Sequence, residues 1–164
     1  SHSYLESRFL ALTQALETYH RRTNNDTLMS NEDYELALAK VEEAIPSQHK
    51  AWVLSRLTYG NEISLSQRIR FLLNYFGDIF GDKSARRKLC WKIVNTRNYL
   101  THYDEGLADE AAKGMQIWVL CRKMETLLQL HLLKELKFSD ERIKQIALKS
   151  LDMKHALDLK MAKA

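Results

Sequence analysis

Proline and glycine are scarce in this sequence: its 164 residues include one proline and five glycines, and runs of β-branched residues are few. Proline and glycine interrupt helices, and β-branched residues favour strands, so their scarcity predicts helices and argues against a sheet. Hydrophobic residues make up 45% of the chain, which excludes a disordered chain and suffices for a substantial core. The composition therefore predicts a folded, all-α protein.

Cysteines are also few, and their number excludes a disulfide framework. Cys90 and Cys121 each lie in an apolar helical stretch, where we expect them to be small core residues. No signal peptide is visible, and unpaired cysteines fit a reducing compartment, so we expect a cytoplasmic protein. The most hydrophobic stretch, residues 115–133, is interrupted by charged residues, which excludes a membrane span.

The sequence lacks the common motifs for phosphate loops and metal sites. It has no glycine-rich nucleotide-binding loop, no cysteine pair with metal-ligand spacing and no His-Glu-x-x-His helix. An enzyme with this sequence would therefore use histidine and arginine without a metal. The net charge of +4 permits contact with a polyanion but does not require it.

Helical stretches can be followed along the whole chain. The first carries an apolar stripe at spacings of three and four residues, formed by Leu5, Phe9, Leu12, Leu16 and Tyr19. Later helices are predicted to follow the capping residues Ser30, Ser47, Ser64, Asp109 and Ser139. We predict that the longest helix runs from Asp109 to about Lys137 and that a single helix follows Ser139. The short connections indicate one helical bundle.

The predicted helix from about Lys83 to His102 has two distinct faces at about 100° per residue. Its core face carries Leu89, Ile93, Thr96 and Leu100. The nearly opposite face combines a large aromatic side chain with two amides and a histidine: Trp91, Asn95, Asn98 and His102. A mixed face of this kind predicts contact with a second subunit, so we expect Trp91, Asn95 and Asn98 to form the interface of a homodimer.

Arg97 and His102 lie roughly 140° apart on a regular helix, so their side chains should not meet there. They can converge only if the helix ends near Thr101 or if a partner chain supplies a second copy. Asp104 and Glu105 follow directly and are placed to tune the histidine. The bare spacing also fits an ordinary arginine and histidine near a helix end, so it does not decide the function.

Two segments carry a resemblance to a known family: KIVNTRNYLTHYDE around Arg97, and YLESRFLALTQALETYHRR in the first helix. Arg97, Asn98, three further residues and His102, late in a long helix, resemble the signature of the HEPN superfamily (higher eukaryotes and prokaryotes nucleotide-binding domains). The flanks resemble its ApeA-like branch. The resemblance runs from about Tyr4 to Leu136 and implies an all-α, HEPN-type antiparallel helical bundle.

The resemblance also implies a function. Members with an intact motif are typically metal-independent endoribonucleases that dimerise so that both motifs face one cleft, and many are toxins or antiviral, abortive-infection effectors. By this resemblance Arg97, Asn98 and His102 are catalytic, the partners are RNA and a second copy, and there is no cofactor. The alternative is a non-catalytic HEPN module for dimerisation or for nucleotide or RNA binding, such as those that partner nucleotidyltransferases.

Other residues are candidates for contact with RNA. His20, Arg21 and Arg22 could hold the RNA backbone, or they could favour the C-terminal end of the first helix. Tyr99 could stack on a base, whereas Tyr103 lies near the core stripe, where packing is expected. Glu17 could polarise the site, although a solvated face is the simpler expectation.

The chain begins Ser-His-Ser, without a methionine. We expect residues 1–3 to be the remnant of an expression tag and residues 4–164 to form a single HEPN-type domain, the C-terminal part of a longer protein. ApeA-like proteins resemble effectors with a further N-terminal domain, which fits this start.

Overall fold

The computed structural model describes residues 2–160, and helices form nearly all of their regular structure. The helices are α1 (His2–Thr23), α2 (Asn31–Ala44), α3 (Ser47–Leu57), α4 (Leu65–Tyr75), α5 (Gly77–Phe80), α6 (Lys83–His102), α7 (Met115–Glu135), α8 (Asp140–Lys149) and α9 (Leu151–Asp158). A 3₁₀ turn covers Glu105–Leu107. These residues contain no strand, only an isolated bridge between Thr27 and Glu62, and the predicted all-α fold is confirmed.

The described residues form two compact units, one of residues 2–22 with 65–160 and one of residues 23–64. That residues 4–164 form a single domain stays a prediction. Ser1, in the predicted tag remnant, and residues 161–164, in the predicted domain, lie outside the described residues.

The larger unit holds the hydrophobic core. Helix α6 packs on α4 and α5, and α8 and α9 pack on α7. The predicted stripe of α1 faces this core, with Phe9 and Leu16 fully buried. Cys90 and Cys121 are buried free thiols, as predicted. Burial raises the pKa of both, that of Cys121 to about 11, so they are inert core residues.

The smaller unit is a pair of helices, α2 and α3, with no fully buried side chain in either. The predicted cap is confirmed, because Ser30 Oγ accepts the backbone N–H of Asp33 at 3.1 Å. Helix α2 ends at Ala44, ahead of Pro46 as predicted. Asn61 ties the ends of the unit together, since its Oδ1 accepts the backbone N–H of Met29 at 3.0 Å.

The predicted start of the longest helix at Asp109 is wrong. Residues 108–112 turn against α6 instead, where Ala112 is buried and donates its backbone N–H to Thr96 Oγ1 at 2.8 Å. Gly114 then takes a positive φ of 52°, and α7 begins at Met115. With 21 residues, α7 is one residue shorter than α1, so the prediction of the longest helix is also wrong.

Two further boundaries differ from prediction. Ser47 is the first residue of α3 rather than its cap, and Pro46 precedes it without a side-chain cap. Ser139 caps α8 as predicted, but the expected single final helix is interrupted at Ser150, whose Oγ accepts the N–H of Met153 and starts α9. This break lets α8 and α9 both pack on α7. Within residues 2–160, no helix is sufficiently long and apolar to cross a membrane.

Candidate active site

Helix α6 is held in place along its core face. Its first turn is capped by Asp82, whose Oδ1 accepts the backbone N–H of Ala85 at 2.7 Å. Cys90, Ile93 and Thr96 are buried, and the other residues of the predicted core face are partly buried. The predicted core face is therefore confirmed, and it leaves the opposite side of α6 free to carry polar groups.

The segment that follows α6 folds back onto it through polar contacts. Asn95 Nδ2 donates to Glu110 Oε2 at 2.7 Å, and Lys92 Nζ donates to the Glu110 carbonyl oxygen at 2.6 Å. Sequence reasoning missed Glu110, because no spacing within α6 identifies a partner on a loop. Asn95 has a partner in its own chain, which accounts for an amide on this face without a second subunit.

The end of α6 brings Arg97 and His102 together. Tyr103 takes the left-handed conformation (φ 49°, ψ 41°) and donates its N–H to the Tyr99 carbonyl, which ends the helix at His102. Arg97 Nη1 lies 3.4 Å from His102 Nε2. The helix thus ends one residue beyond Thr101, and the long arginine side chain spans the angular separation. The two groups converge within one chain, without a partner copy.

The Arg97 guanidinium donates hydrogen bonds to both of the other motif residues. A guanidinium only donates, so His102 Nε2 accepts and is the nitrogen with the lone pair in this arrangement. Arg97 Nη1 also donates to Asn98 Oδ1 at 3.2 Å. Asn98 therefore holds the arginine. The three motif residues form one cluster of a guanidinium, an amide and an imidazole at an exposed helix end.

A small cavity of about 110 Å³ lies between α1 and α6 beside this cluster, lined by Leu10, Thr13, Gln14, Glu17, Arg97 and Thr101. The side chain of Glu17 is only 16% exposed, so the expected solvated face is wrong. Glu17 Oε1 accepts from Arg21 Nη2 at 3.2 Å. Glu17 and Arg97 thus line the same cavity, and the Glu17 carboxylate pairs with Arg21.

The remaining candidate residues near the motif differ in their exposure to solvent. Arg22 is exposed, and Tyr99 is partly buried. His20 is fully buried, so its expected contact with RNA is wrong. Tyr103 is 82% exposed, so the expected packing of this residue against the core is wrong. Its left-handed backbone turns the side chain away from α6, which helical periodicity does not predict. Trp91 is 48% exposed, and the homodimer interface of Trp91, Asn95 and Asn98 stays a prediction.

Asp104 and Glu105 begin the segment that follows α6, and their expected effect on His102 stays a prediction. Asp104 Oδ1 accepts the backbone N–H of Gly106 at 3.0 Å and starts the 3₁₀ turn. Within residues 2–160, no three histidine, cysteine, aspartate or glutamate side chains cluster closely enough to hold a metal ion.

A family model described as Apea-like HEPN matches residues 10–142, which is most of the chain. Comparisons with curated proteins and with solved structures give no match. The matched region contains the whole of α6, including Arg97, Asn98 and His102, and the all-helical fold is that of HEPN domains. The chain belongs to the ApeA-like HEPN family.

Proposed function

We propose that this domain is a metal-independent endoribonuclease in which Arg97, Asn98 and His102 act on the scissile phosphate. HEPN domains are often ribonucleases, and they commonly dimerise and bind RNA. The observation that carries the proposal is the contact of 3.4 Å between Arg97 Nη1 and His102 Nε2 at an exposed helix end. This places a permanent cation beside an imidazole, a side chain that can both accept and donate a proton.

The reaction uses the nucleophile that RNA itself contains. A His102 Nε2 takes the proton of the 2′-hydroxyl while O2′ forms a bond to the adjacent phosphorus. The bond from phosphorus to O5′ breaks, and O5′ takes a proton from a second imidazole. Arg97 donates to the phosphoryl oxygens and stabilises the negative charge of the phosphorane. The products are a 2′,3′-cyclic phosphate and a 5′-hydroxyl.

Two imidazoles are needed at once, one neutral and one protonated. Each chain contributes one His102, so the proposed enzyme is a homodimer with RNA between the ends of two α6 helices. Either copy of His102 can take either role, because a symmetric dimer makes them equivalent before RNA binds. The exposure of His102 and Tyr103 supports this arrangement.

As the cellular role we propose an antiviral, abortive-infection or toxin effector, by the resemblance to ApeA-like effectors. The competing function is a non-catalytic module for dimerisation or for nucleotide or RNA binding. The joint placement of Arg97, Asn98 and His102 favours the enzyme, since a passive module has no need of an imidazole lone pair facing a guanidinium.

The test is cleavage of a labelled RNA by the full chain in excess EDTA. His102→Ala should lower the rate by at least about 100-fold, because a positioned proton-transfer group accelerates a reaction by roughly 10²- to 10⁴-fold. Arg97→Lys should also be impaired, since lysine keeps the charge but loses the planar fork. His155→Ala, at an exposed position on α9, is the matched control and should cleave normally.

The substrate gives a second, independent check. RNA with a 2′-deoxy sugar at the cleavage position should resist, and the cut product should end in a 2′,3′-cyclic phosphate. Equal cleavage of the deoxy substrate, or full activity of His102→Ala, would show that the proposed mechanism is wrong.

A further inference from the structure

A second, larger cavity lies apart from the small cavity that Glu17 and Arg97 line. It has a volume of about 540 Å³, within the range of roughly 300–1,000 Å³ that small-molecule pockets span. Its walls come from α5, α6, α7 and the end of α9, all in the larger unit. Phe80 and Leu157 are among its apolar lining residues, and Trp91 lies on the same wall.

Lysines from two helices line this cavity together with the apolar residues. Lys88 and Lys92 come from α6 and Lys123 from α7, and Asp158 is the one acidic group among the lining residues of this cavity. With three ammonium groups against one carboxylate, the cavity carries a positive charge. The combination of an aromatic wall and ammonium groups suits a ligand that joins a flat ring to an anion, as a nucleotide does.

Two of these lysines are fixed before any ligand arrives. Lys92 Nζ donates to the Glu110 carbonyl oxygen at 2.6 Å and lies 5.7 Å from the centre of the Trp91 ring. Lys123 Nζ donates to the Leu157 carbonyl oxygen at 2.7 Å, and burial lowers the pKa of this amine. An approaching anion would meet ammonium groups already in position, which reduces the entropy lost on binding.

The position of the cavity connects it with the motif. Trp91 and His102 are eleven residues apart on α6, which puts them about 20° from alignment on the same face and about 16 Å apart along the axis. Asn95 and Asn98 lie between them on that face. A single strand that passes over His102 along α6 therefore reaches Trp91 after a few nucleotides.

We propose that this cavity binds a base of the RNA strand, stacked on Trp91, with the neighbouring phosphates beside Lys88 and Lys92. The inference rests on the proposed function and deepens it, because it assigns a recognition subsite a few nucleotides from the scissile bond. It gives Trp91 a role in RNA recognition in place of the subunit interface predicted from the sequence. The subsite selects for an unpaired base, since a base in a duplex cannot enter a cavity.

The test measures binding without cleavage, in the full chain carrying His102→Ala. Short single-stranded RNAs carry 2-aminopurine at one position each, and the fluorescence of this base falls when it stacks on an aromatic ring. We expect quenching at one position a few nucleotides from the cleavage position. Adding Trp91→Ala should abolish that quenching and weaken binding about tenfold, whereas Trp91→Tyr should keep most of both.

Trp52→Ala is the matched control, because Trp52 is an exposed tryptophan on α3 outside the cavity. It should leave the quenching and the affinity unchanged. Far-UV circular dichroism shows whether Trp91→Ala is folded. If that variant unfolds, Lys88→Glu, at an exposed position on the cavity rim, replaces it and should weaken binding of the same RNA.

Three results would overturn the inference. The first is unchanged RNA binding by folded Trp91→Ala. The second is equal quenching of a 2-aminopurine mononucleotide at the same concentration, which would assign the cavity to a free nucleotide. The third is conversion of a dimer to a monomer by Trp91→Ala in light scattering, which would assign Trp91 to the interface. Trp91-dependent binding of RNA by a wild-type protein that cuts no RNA would overturn the proposed function alone and support the subsite.

Discussion

Two single residues end their helices in a conformation that favours glycine. Tyr103 (φ 49°) follows α6 and Lys137 (φ 66°) follows α7, and both lie in the left-handed region. A side chain with a Cβ costs roughly 1–2 kcal/mol there. Tyr103 directly follows His102, and its aromatic ring is exposed to solvent at the candidate site.

Glycine at either position should therefore stabilise the fold, but only one of the two changes should affect RNA. We predict that Tyr103→Gly and Lys137→Gly each raise the free energy of unfolding by on the order of 0.5–1 kcal/mol in urea titrations. Tyr103→Gly should also weaken binding of single-stranded RNA about fivefold, since it removes a stacking surface. Lys137→Gly is the control. Equal RNA affinity of the two variants would contradict a role for Tyr103.

At the scale of elements, a buried hydroxyl joins α6 to the segment that follows it. Thr96 Oγ1 donates to the Lys92 carbonyl within the helix and accepts the backbone N–H of Ala112 from the following segment. Both Thr96 and Ala112 are buried. The contact joins α6 to the segment that leads into α7, and it fixes the motif helix on its buried face.

Thr96→Val should destabilise the fold, because it removes that acceptor while keeping the shape of the side chain. We predict a loss of about 2 kcal/mol in the free energy of unfolding, from the buried N–H left without an acceptor. Thr126→Val on α7 is the matched control: Thr126 is equally buried, and its Oγ1 donates to the Arg122 carbonyl at 3.1 Å. It should cost less than about 1 kcal/mol. Equal costs would show that the Ala112 contact adds nothing.

Elements with strong local signals could be predicted from the sequence, and those set by contacts between segments could not. The bounds of α6 and the cap at Ser30 follow from neighbouring residues. The start of α7 depends on Ala112 reaching Thr96, sixteen positions away, and the break at Ser150 depends on two helices sharing one surface. At the site, the motif was visible, but its convergence depends on side-chain length and on the backbone of Tyr103.

For the whole molecule, charge is divided unequally between the two compact units. Residues 23–64 contain seven acidic and three basic side chains, a net charge of −4. The rest of the chain contains 22 basic and 14 acidic side chains, a net charge of +8. The overall value of +4 thus understates the positive charge of the part that carries α6, which attracts a polyanion more strongly than the total suggests.

The core of the larger unit contains a histidine that makes stability depend on pH. His131 is buried among Tyr19, Tyr75 and Phe76, and its Nε2 donates to the Leu72 carbonyl oxygen at 3.1 Å. Burial lowers its pKa from 6.5 to about 4, so the folded protein holds the neutral ring. The stabilisation is complete above pH 6.5 and is lost as the pH falls towards 4, because the unfolded chain binds the proton first.

We predict that acidification from pH 7 to pH 4 removes up to about 3 kcal/mol of the free energy of unfolding through this residue. His131→Gln should be less stable at neutral pH, having lost its ring contacts, but its stability should fall less steeply on acidification. His155→Gln, at an exposed position on α9, should retain the wild-type slope. The measurement is urea unfolding at a series of pH values. Equal slopes for His131→Gln and the wild type would contradict the prediction.

The contact between Arg97 and His102 has a consequence for the order of events in the proposed reaction. One lone pair cannot accept a hydrogen bond from the guanidinium and take a proton from a hydroxyl at the same moment. In the proposed reaction, the imidazole must therefore leave the guanidinium before it can act as the base. A bound phosphate competes with the imidazole for the guanidinium. When the phosphate takes over that hydrogen bond, the lone pair of His102 becomes available to the 2′-hydroxyl. In the proposed mechanism, binding of the phosphate and activation of the base are then the same step.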